Sequence, residues 1–431
     1  MKIQLGKNKS ASIWYIASGL IVKAAGFIST ALITRMLLPD EFGLYTLYTG
    51  ILSIVTVFQT LEVSGNVIYR ELSLKDELNP FLYSLLVFAF CTSLLFAGIY
   101  IPFRRPVSEA LGLSPLSITV LILQVFLNCA EGIHLAALKY DLKYKSASLI
   151  NIAIGALTPF LSIALILGTD LGGYARIYAP VFVSAVAVIP MIIQICISAK
   201  FRFDKSAFFY IAKRLIPLLP HYLSLSVIAQ SGRVVIAKKL GQALVGKYGA
   251  AQSFAFAITL VTVGMLGALF PWLNRNFSEE NFTRVVAISK KCVLTVSACA
   301  AVFMLFAKPL FNVFASEEYK DALVCIYPLV IYCTLSFCSN IYTQILYRLS
   351  STLCVSLISI LTAVFTAISS IFLCDVYGIF GVACALIFGE VLSLFIKAWI
   401  LKRKKYSCLS ISFVPLTQGI IIMCLIFAFS A

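Results

Sequence analysis

Along the chain, apolar runs long enough to cross a bilayer alternate with short polar connections. The runs fall near 11–36, 42–68, 80–101, 116–138, 147–168, 177–199, 215–237, 246–272, 287–314, 322–347, 352–374, 378–400 and 412–430, thirteen in all. Each has helical length, and none shows the period-two alternation that a barrel strand needs. Backbone polar groups in lipid must be satisfied within the segment, so the pattern predicts an all-α integral membrane protein. Interior prolines at Pro159, Pro190, Pro217, Pro220, Pro271 and Pro328 predict kinks.

Composition narrows the class. Apolar residues make up 61% of the 431 residues and charged residues 12%, against roughly 45–50% and about 25% in soluble domains. That excludes a soluble protein, and also a soluble enzyme on a single anchor. The formal net charge of +16 would suit a nucleic-acid binder, but the basic residues flank apolar runs, as the positive-inside rule describes. Most lie on the side of the N-terminus, where Lys397 and Lys402 to Lys405 are counted. Arg35, Arg104, Arg105, Arg176, Lys238, Lys239, Lys247, Lys308 and Lys320 lie on the other. The N-terminus is therefore expected in the cytoplasm, with no nucleic-acid partner. The start, MKIQLGKNKS, reads as the lead-in to an uncleaved first span.

The connections are too short to hold a catalytic or nucleotide-binding domain, and no GxxxxGK[ST] phosphate loop occurs. The thirteen cysteines sit singly in apolar surroundings, as at Cys129, Cys196, Cys299 and Cys384, and read as small core residues.

Ionisable residues inside spans carry the functional signal. Lys23, Glu62, Glu131, Arg233 and Glu390 lie well inside, with His134 near a span end. Each would cost roughly 2.5–3.5 kcal/mol facing lipid, so together they are expected to face an interior. Helical spacing agrees. Thr56, Gln59, Glu62 and Asn66 share one face, as do Gln124, Asn128, Glu131 and His134; Ser226, Gln230 and Arg233; and Ser336, Asn340 and Gln344. Such stripes either glue helices together or line a wet cavity that hydrogen-bonds a polyhydroxylated ligand. The Glu131–His134 pair has the spacing of helix-bundle dimetal sites, but only one copy exists, so a structural or proton-relay role is expected and no metal or cofactor.

An internal repeat appears at an offset of 203. Arg35-Met-Leu-Leu-Pro-Asp-Glu-Phe-Gly43-Leu-Tyr45 matches Lys238-Lys-Leu240-Gly-Gln-Ala-Leu-Val-Gly246-Lys-Tyr248, and Tyr144-Lys145 matches Tyr347-Arg348. Nearby, Asp170-Leu-Gly-Gly173 falls close to Asp375-Val-Tyr-Gly378. The offset crosses an even number of spans, so two six-helix bundles are expected, related by a pseudo-two-fold along the membrane normal. They comprise residues 1–203 and 204–405, with 406–431 as an extra C-terminal span.

That layout, with Arg35 to Tyr48 (RMLLPDEFGLYTLY) and Pro220 to Ala251, resembles the polysaccharide transporter family of the multidrug/oligosaccharidyl-lipid/polysaccharide exporter superfamily. The sequence departs from that family's frequent Asp-Arg pair by carrying Gly232 before Arg233. The resemblance implies a flippase, similar to O-antigen flippases of lipopolysaccharide biosynthesis. It would move undecaprenyl-pyrophosphate-linked oligosaccharide across the bacterial inner membrane by alternating access, without being an enzyme. Lys23 and Arg233 would then meet the pyrophosphate, Gln59, Asn128, Gln230 and Asn340 the sugars, and Glu62, Glu131, His134 and Glu390 would couple a proton or ion. Membrane lipid, a polysaccharide polymerase and a chain-length regulator are the implied partners. The rivals are a multidrug cation exporter, a peptidoglycan-precursor flippase and, from another class, an integral-membrane polysaccharide polymerase.

Overall fold

The computed structural model describes residues 2–60, 78–140, 143–205, 209, 213, 216, 219–278, 281–349, 351–404, 406 and 415. Among them the regular elements are all helical: α1 (Lys2–Ile33), α2 (Pro39–Thr60), α3 (Leu78–Tyr100), α4 (Arg104–Leu111), α5 (Pro115–Tyr140), α6 (Tyr144–Gly168) and α7 (Ala175–Ser198). Next come α8 (Leu219–Leu240), α9 (Gln242–Ala255), α10 (Thr259–Asn276), α11 (Phe282–Leu305), α12 (Ala307–Phe314), α13 (Leu323–Arg348) and α14 (Thr352–Arg403). Within the described residues the apolar runs reappear in order; 61–68, residues 215, 217 and 218, and all of 412–430 but residue 415 lie outside them.

Three differences from the sequence reading have local causes. The run 246–272 is divided into α9 and α10 by a 3₁₀ turn at Phe256–Ile258. The loop expected around Arg104 and Arg105 is instead the short helix α4, closed by Gly112 in the left-handed conformation (φ 65°). The runs 352–374 and 378–400 join in α14, but Gly378 takes φ 58° and ψ −138°, a backbone open only to glycine, so two spans result. Gly381 follows so closely on Leu373 that a Cβ would lie 2.0 Å from its carbonyl oxygen. Gly172, between α6 and α7, likewise has positive φ (52°), so both connections in the Asp-Gly repeat turn on a glycine.

Nine helices among the described residues are long and apolar enough to cross a membrane, and one of these contains the Gly378 break. Helix α8 is not among them, because Gln230, Arg233, Lys238 and Lys239 dilute its apolar character. Pro159, Pro190, Pro271 and Pro328 lie inside helices. Pro220 lies in the first turn of α8, where its missing N–H costs little.

The chain divides into two compact units, Met1–Ser29 with Leu44–Ser226, and Thr30–Gly43 with Val227–Ala431. In the first, Leu85 and Ala89 of α3, Ala130 and Ile133 of α5 and Val188 of α7 are fully enclosed. In lipid such packing holds helices through close contact and hydrogen bonds rather than water exclusion. In the second, α13 is buried around nearly its whole circumference and forms the centre. The segment 30–43 joins this unit through specific bonds: Thr34 Oγ1 donates to the Phe314 carbonyl (3.2 Å), and the Tyr319 hydroxyl donates to that of Leu37 (3.0 Å).

Candidate substrate cavity

The second unit holds a cavity of about 250 Å³ bounded by α8, α9, the 3₁₀ turn at Phe256–Ile258, α10, α13 and α14. Its polar wall is built by helical spacing. Thr259 and Thr262 lie on one face of α10, while Tyr332, Ser336 and Asn340 are one turn apart on α13. Gln252 of α9 completes it, and none of the lining residues is acidic or basic. Amides and hydroxyls both donate and accept, which suits sugar hydroxyls. The volume is below the roughly 300–1,000 Å³ of drug-sized pockets, so this conformation offers room for a single sugar ring and not for an oligosaccharide.

Arg233 stands behind this wall. Its Nε and Nη2 both donate to Gln252 Oε1, at 3.0 and 2.7 Å, so a lining residue is held by a half-buried guanidinium. Gly232 has its own reason: a Cβ there would lie 2.5 Å from Val382 Cγ1, so the residue lets α8 approach α14. Gln230 is half-buried, and its Oε1 is sealed from solvent with no protein partner among the described residues. Asn340 is exposed and lines the cavity, with its Nδ2 donating to the Ser336 carbonyl (2.9 Å).

Glu390 on α14 is only 8% exposed and lies within electrostatic reach of Tyr332 and Cys333, both of which line the cavity. It also interacts with Lys397, which sequence reasoning placed in a loop. Lys397 is 7% exposed and its Nζ donates to Ser339 Oγ at 2.5 Å. The signal was present: Glu390, Ser393 and Lys397 are spaced by three and four on one helical face.

The first unit distributes its expected site residues differently. Gln59 is fully buried, and its Nε2 donates to Ser93 Oγ (2.7 Å) and the Ile122 carbonyl (2.9 Å). It braces α2 against α3 and α5, and in this conformation contact with sugar is not open to it. Gln124 is likewise tied, accepting from the Tyr48 hydroxyl at 2.6 Å. Asn128 and Lys23 are exposed, Glu131 is half-buried and His134 is buried. Glu62 lies outside the described residues. Arg176, assigned to a loop by sequence, is 9% exposed and lies 4.1 Å over the Tyr45 ring. Of the expected site residues in the second unit, Asn340 lines the cavity, Arg233 holds its lining residue Gln252, and Glu390 lies within electrostatic reach of the lining residues Tyr332 and Cys333; the sequence did not single out Gln252 or Lys397.

The family model described as "Polysaccharide biosynthesis protein" matches residues 32–324. Among solved structures, the MATE multidrug transporter DinF-BH is 17% identical with a TM-score of 0.66, covering 94% of this chain and 96% of its own. The MATE transporter VcmN of Vibrio cholerae is 15% identical with a TM-score of 0.60, covering 92% and 97%. A MOP superfamily transporter from Pyrococcus furiosus, whose binding pocket is described as reversed in polarity, is 15% identical with a TM-score of 0.61, covering 92% and 95%. No functionally curated protein matches the sequence. These likenesses establish the all-α, two-bundle membrane transporter fold.

Proposed function

Because the chain belongs to the polysaccharide biosynthesis protein family, we propose that it is a flippase for undecaprenyl-pyrophosphate-linked oligosaccharide repeat units, of O-antigen or a related polysaccharide. It acts in the bacterial inner membrane, with its N-terminus in the cytoplasm, and delivers the units to the periplasmic leaflet. The observation that carries this reading is the second unit's cavity, whose polar lining is uncharged amide and hydroxyl. Such a lining exchanges hydrogen bonds with sugars as water does, so a glycan enters without a large desolvation cost.

Three tasks are divided among the residues. Sugars pass along Gln252, Asn340 and their neighbours, with Gln230 and Asn128 as further contacts. Arg233 and Lys23 supply positive charge for the pyrophosphate. The polyprenyl tail stays in lipid while the two bundles alternate in access. Glu390, Glu131, His134 and Glu62 are the groups proposed to couple the cycle to a proton or cation gradient. A cationic-drug exporter is less well supported, since no carboxylate lines the cavity.

Deleting the gene in its native cell and extracting lipid-linked intermediates tests the reading. The account expects undecaprenyl-pyrophosphate oligosaccharide to accumulate and surface polysaccharide to fall. Unchanged polysaccharide together with heightened sensitivity to cationic drugs would overturn it in favour of drug export.

A further inference from the structure

A groove of about 560 Å³ lies on the second unit between α10, α11 and α12. Ala257, Ile258 and Val261 line one side, and Ala298, Cys299 and Val302 the other. The alanines at 257 and 298 and the cysteine at 299 are too small to fill the space between the helices. Phe306, where α11 gives way to α12, and Leu310 complete the lining, which holds no polar side chain beyond the Cys299 thiol. Val302, Phe306 and Leu310 are exposed, and α10 and α11 belong to stretches apolar enough to cross a membrane. A space that opens at such a surface and offers no hydrogen bond holds neither water nor a polar ligand, so hydrocarbon fills it. Its volume is several times the roughly 150 Å³ that admits benzene, which is room for much of an acyl chain. The opposite face of the same stretch, with Phe256, Thr259 and Thr262, lines the sugar cavity, so the two sites are distinct.

Helix α12 adds what the other end of an amphiphile needs. Ala307, Phe311 and Phe314 are buried, Leu310 and Val313 are exposed and apolar, and Lys308 and Asn312 stand one turn apart on an exposed polar face. A helix sorted in this way lies along the membrane interface. Lys308 is two residues from both Phe306 and Leu310, so an ammonium on a long flexible stem stands within one turn of the groove's lining. Of the acidic residues that follow α12, Glu317 is paired with Lys320 and Asp321 with Lys247. None of them, Glu318 included, pairs with Lys308 among the described residues. The charge is left to complement an anion.

We propose that this groove binds one acyl chain of an anionic phospholipid, whose headgroup phosphate is met by Lys308 and Asn312. Binding of this lipid is independent of the flippase reading.

The test follows the thermal unfolding midpoint of the full chain in lipid-free detergent while phosphatidylglycerol or phosphatidylcholine is added in mixed micelles. Phosphatidylglycerol should raise the midpoint saturably, and phosphatidylcholine should need about tenfold more lipid, the scale of one charge-assisted bond. Lys308→Gln should remove that preference, whereas Lys402→Gln, which changes an exposed cation at the end of α14, should keep it. Ala298→Phe places a ring in the groove and should shrink the rise produced by either lipid. No saturable rise, or a preference for phosphatidylglycerol that survives Lys308→Gln, overturns the proposal, as does a full rise in Ala298→Phe. Undecaprenyl phosphate acting at far lower concentration than phosphatidylglycerol also overturns it, by giving the groove to the carrier lipid. A dimer in lipid-free detergent that Ala298→Phe dissociates does the same, by covering the groove with a second copy. Midpoints measured without lipid show whether each variant still folds, and Lys308→Gln, a surface change, carries the test if Ala298→Phe does not.

Discussion

Gly43 at the start of α2 and Gly246 at the start of α9 pack directly against each other. A Cβ on Gly43 would lie 2.0 Å from the Gln242 carbonyl oxygen and 3.0 Å from the Gly246 nitrogen. A Cβ on Gly246 would lie 1.9 Å from the Pro39 carbonyl oxygen and 2.9 Å from the Gly43 nitrogen. Pro39 and Gln242 are separated by 203 residues, as are Gly43 and Gly246. The contact is therefore reciprocal, each turn offering the same atoms to the other, as in an isologous interface. The repeat read in the sequence is thus also a meeting point of its two copies.

This contact makes the first prediction. Gly43→Ala and Gly246→Ala should each destabilise the protein by about 1–3 kcal/mol, because the clash is with backbone that cannot rotate away. Gly267→Ala, where nothing lies within 4 Å, should instead be neutral or stabilising by up to about 1 kcal/mol. Thermal unfolding in detergent checks both. Equal behaviour of the three variants would mean that the glycines do not set the approach of α2 to α9.

Arg233 and Gln252 should act as one unit. Arg233→Gln and Gln252→Ala are each expected to lower transport, and the double variant should lose less than the two losses combined. A coupling of about 1–3 kcal/mol is expected for a charge-assisted bond of this kind. Strict additivity in a vesicle transport assay would show that the guanidinium does not work through the amide.

Lys397→Met keeps the length of the stem and removes the ammonium. It should destabilise the second unit, because Ser339 loses its donor and buried Glu390 loses a nearby positive charge. Ser339→Ala should cost less, about 1 kcal/mol. If the methionine variant unfolds at the wild-type temperature, the buried lysine contributes nothing to the fold.

Surface pairs should matter little. Lys239 and Asp375 are 2.6 Å apart, but the aspartate side chain is 60% exposed. Asp375→Asn is expected to change stability by no more than about 1 kcal/mol, and less at high salt. A loss several times larger would give the pair a structural role that its exposure does not support.

The helices were legible because bilayer thickness fixes the length of an apolar run, and the Gly378 break was marked by the polar Asp375 and the glycine itself. Side-chain partners were less so. Periodicity places Gln59 on a polar face but says nothing of Ser93 or Ile122, which turn it into a brace. Lys397 and Arg176 read from sequence as charges flanking apolar runs, because charge near the end of such a run is ordinarily solvated. Their burial depends on Ser339 and Tyr45, far away in sequence. Asn340 and Arg233 were found because polar groups at helical spacing inside a span must face protein or water.

Under the proposed function, Glu62, Glu131 and Glu390 are the carboxylates that would couple transport to an ion gradient. Glu62→Gln, Glu131→Gln and Glu390→Gln preserve shape while removing charge. At least one should abolish the response of vesicle transport to an imposed proton or sodium gradient. Wild-type responses in all three would make the carboxylates structural.

The most direct measurement reconstitutes the purified chain into vesicles holding an undecaprenyl-pyrophosphate-linked oligosaccharide with an oxidisable sugar. Its movement between leaflets is then followed by accessibility to an added, membrane-impermeant glycan-modifying enzyme. The account predicts that the protected fraction becomes accessible in wild-type vesicles within the assay, and far more slowly with Arg233→Gln or in protein-free vesicles. Equal protection with and without the protein, under every imposed gradient, would contradict it.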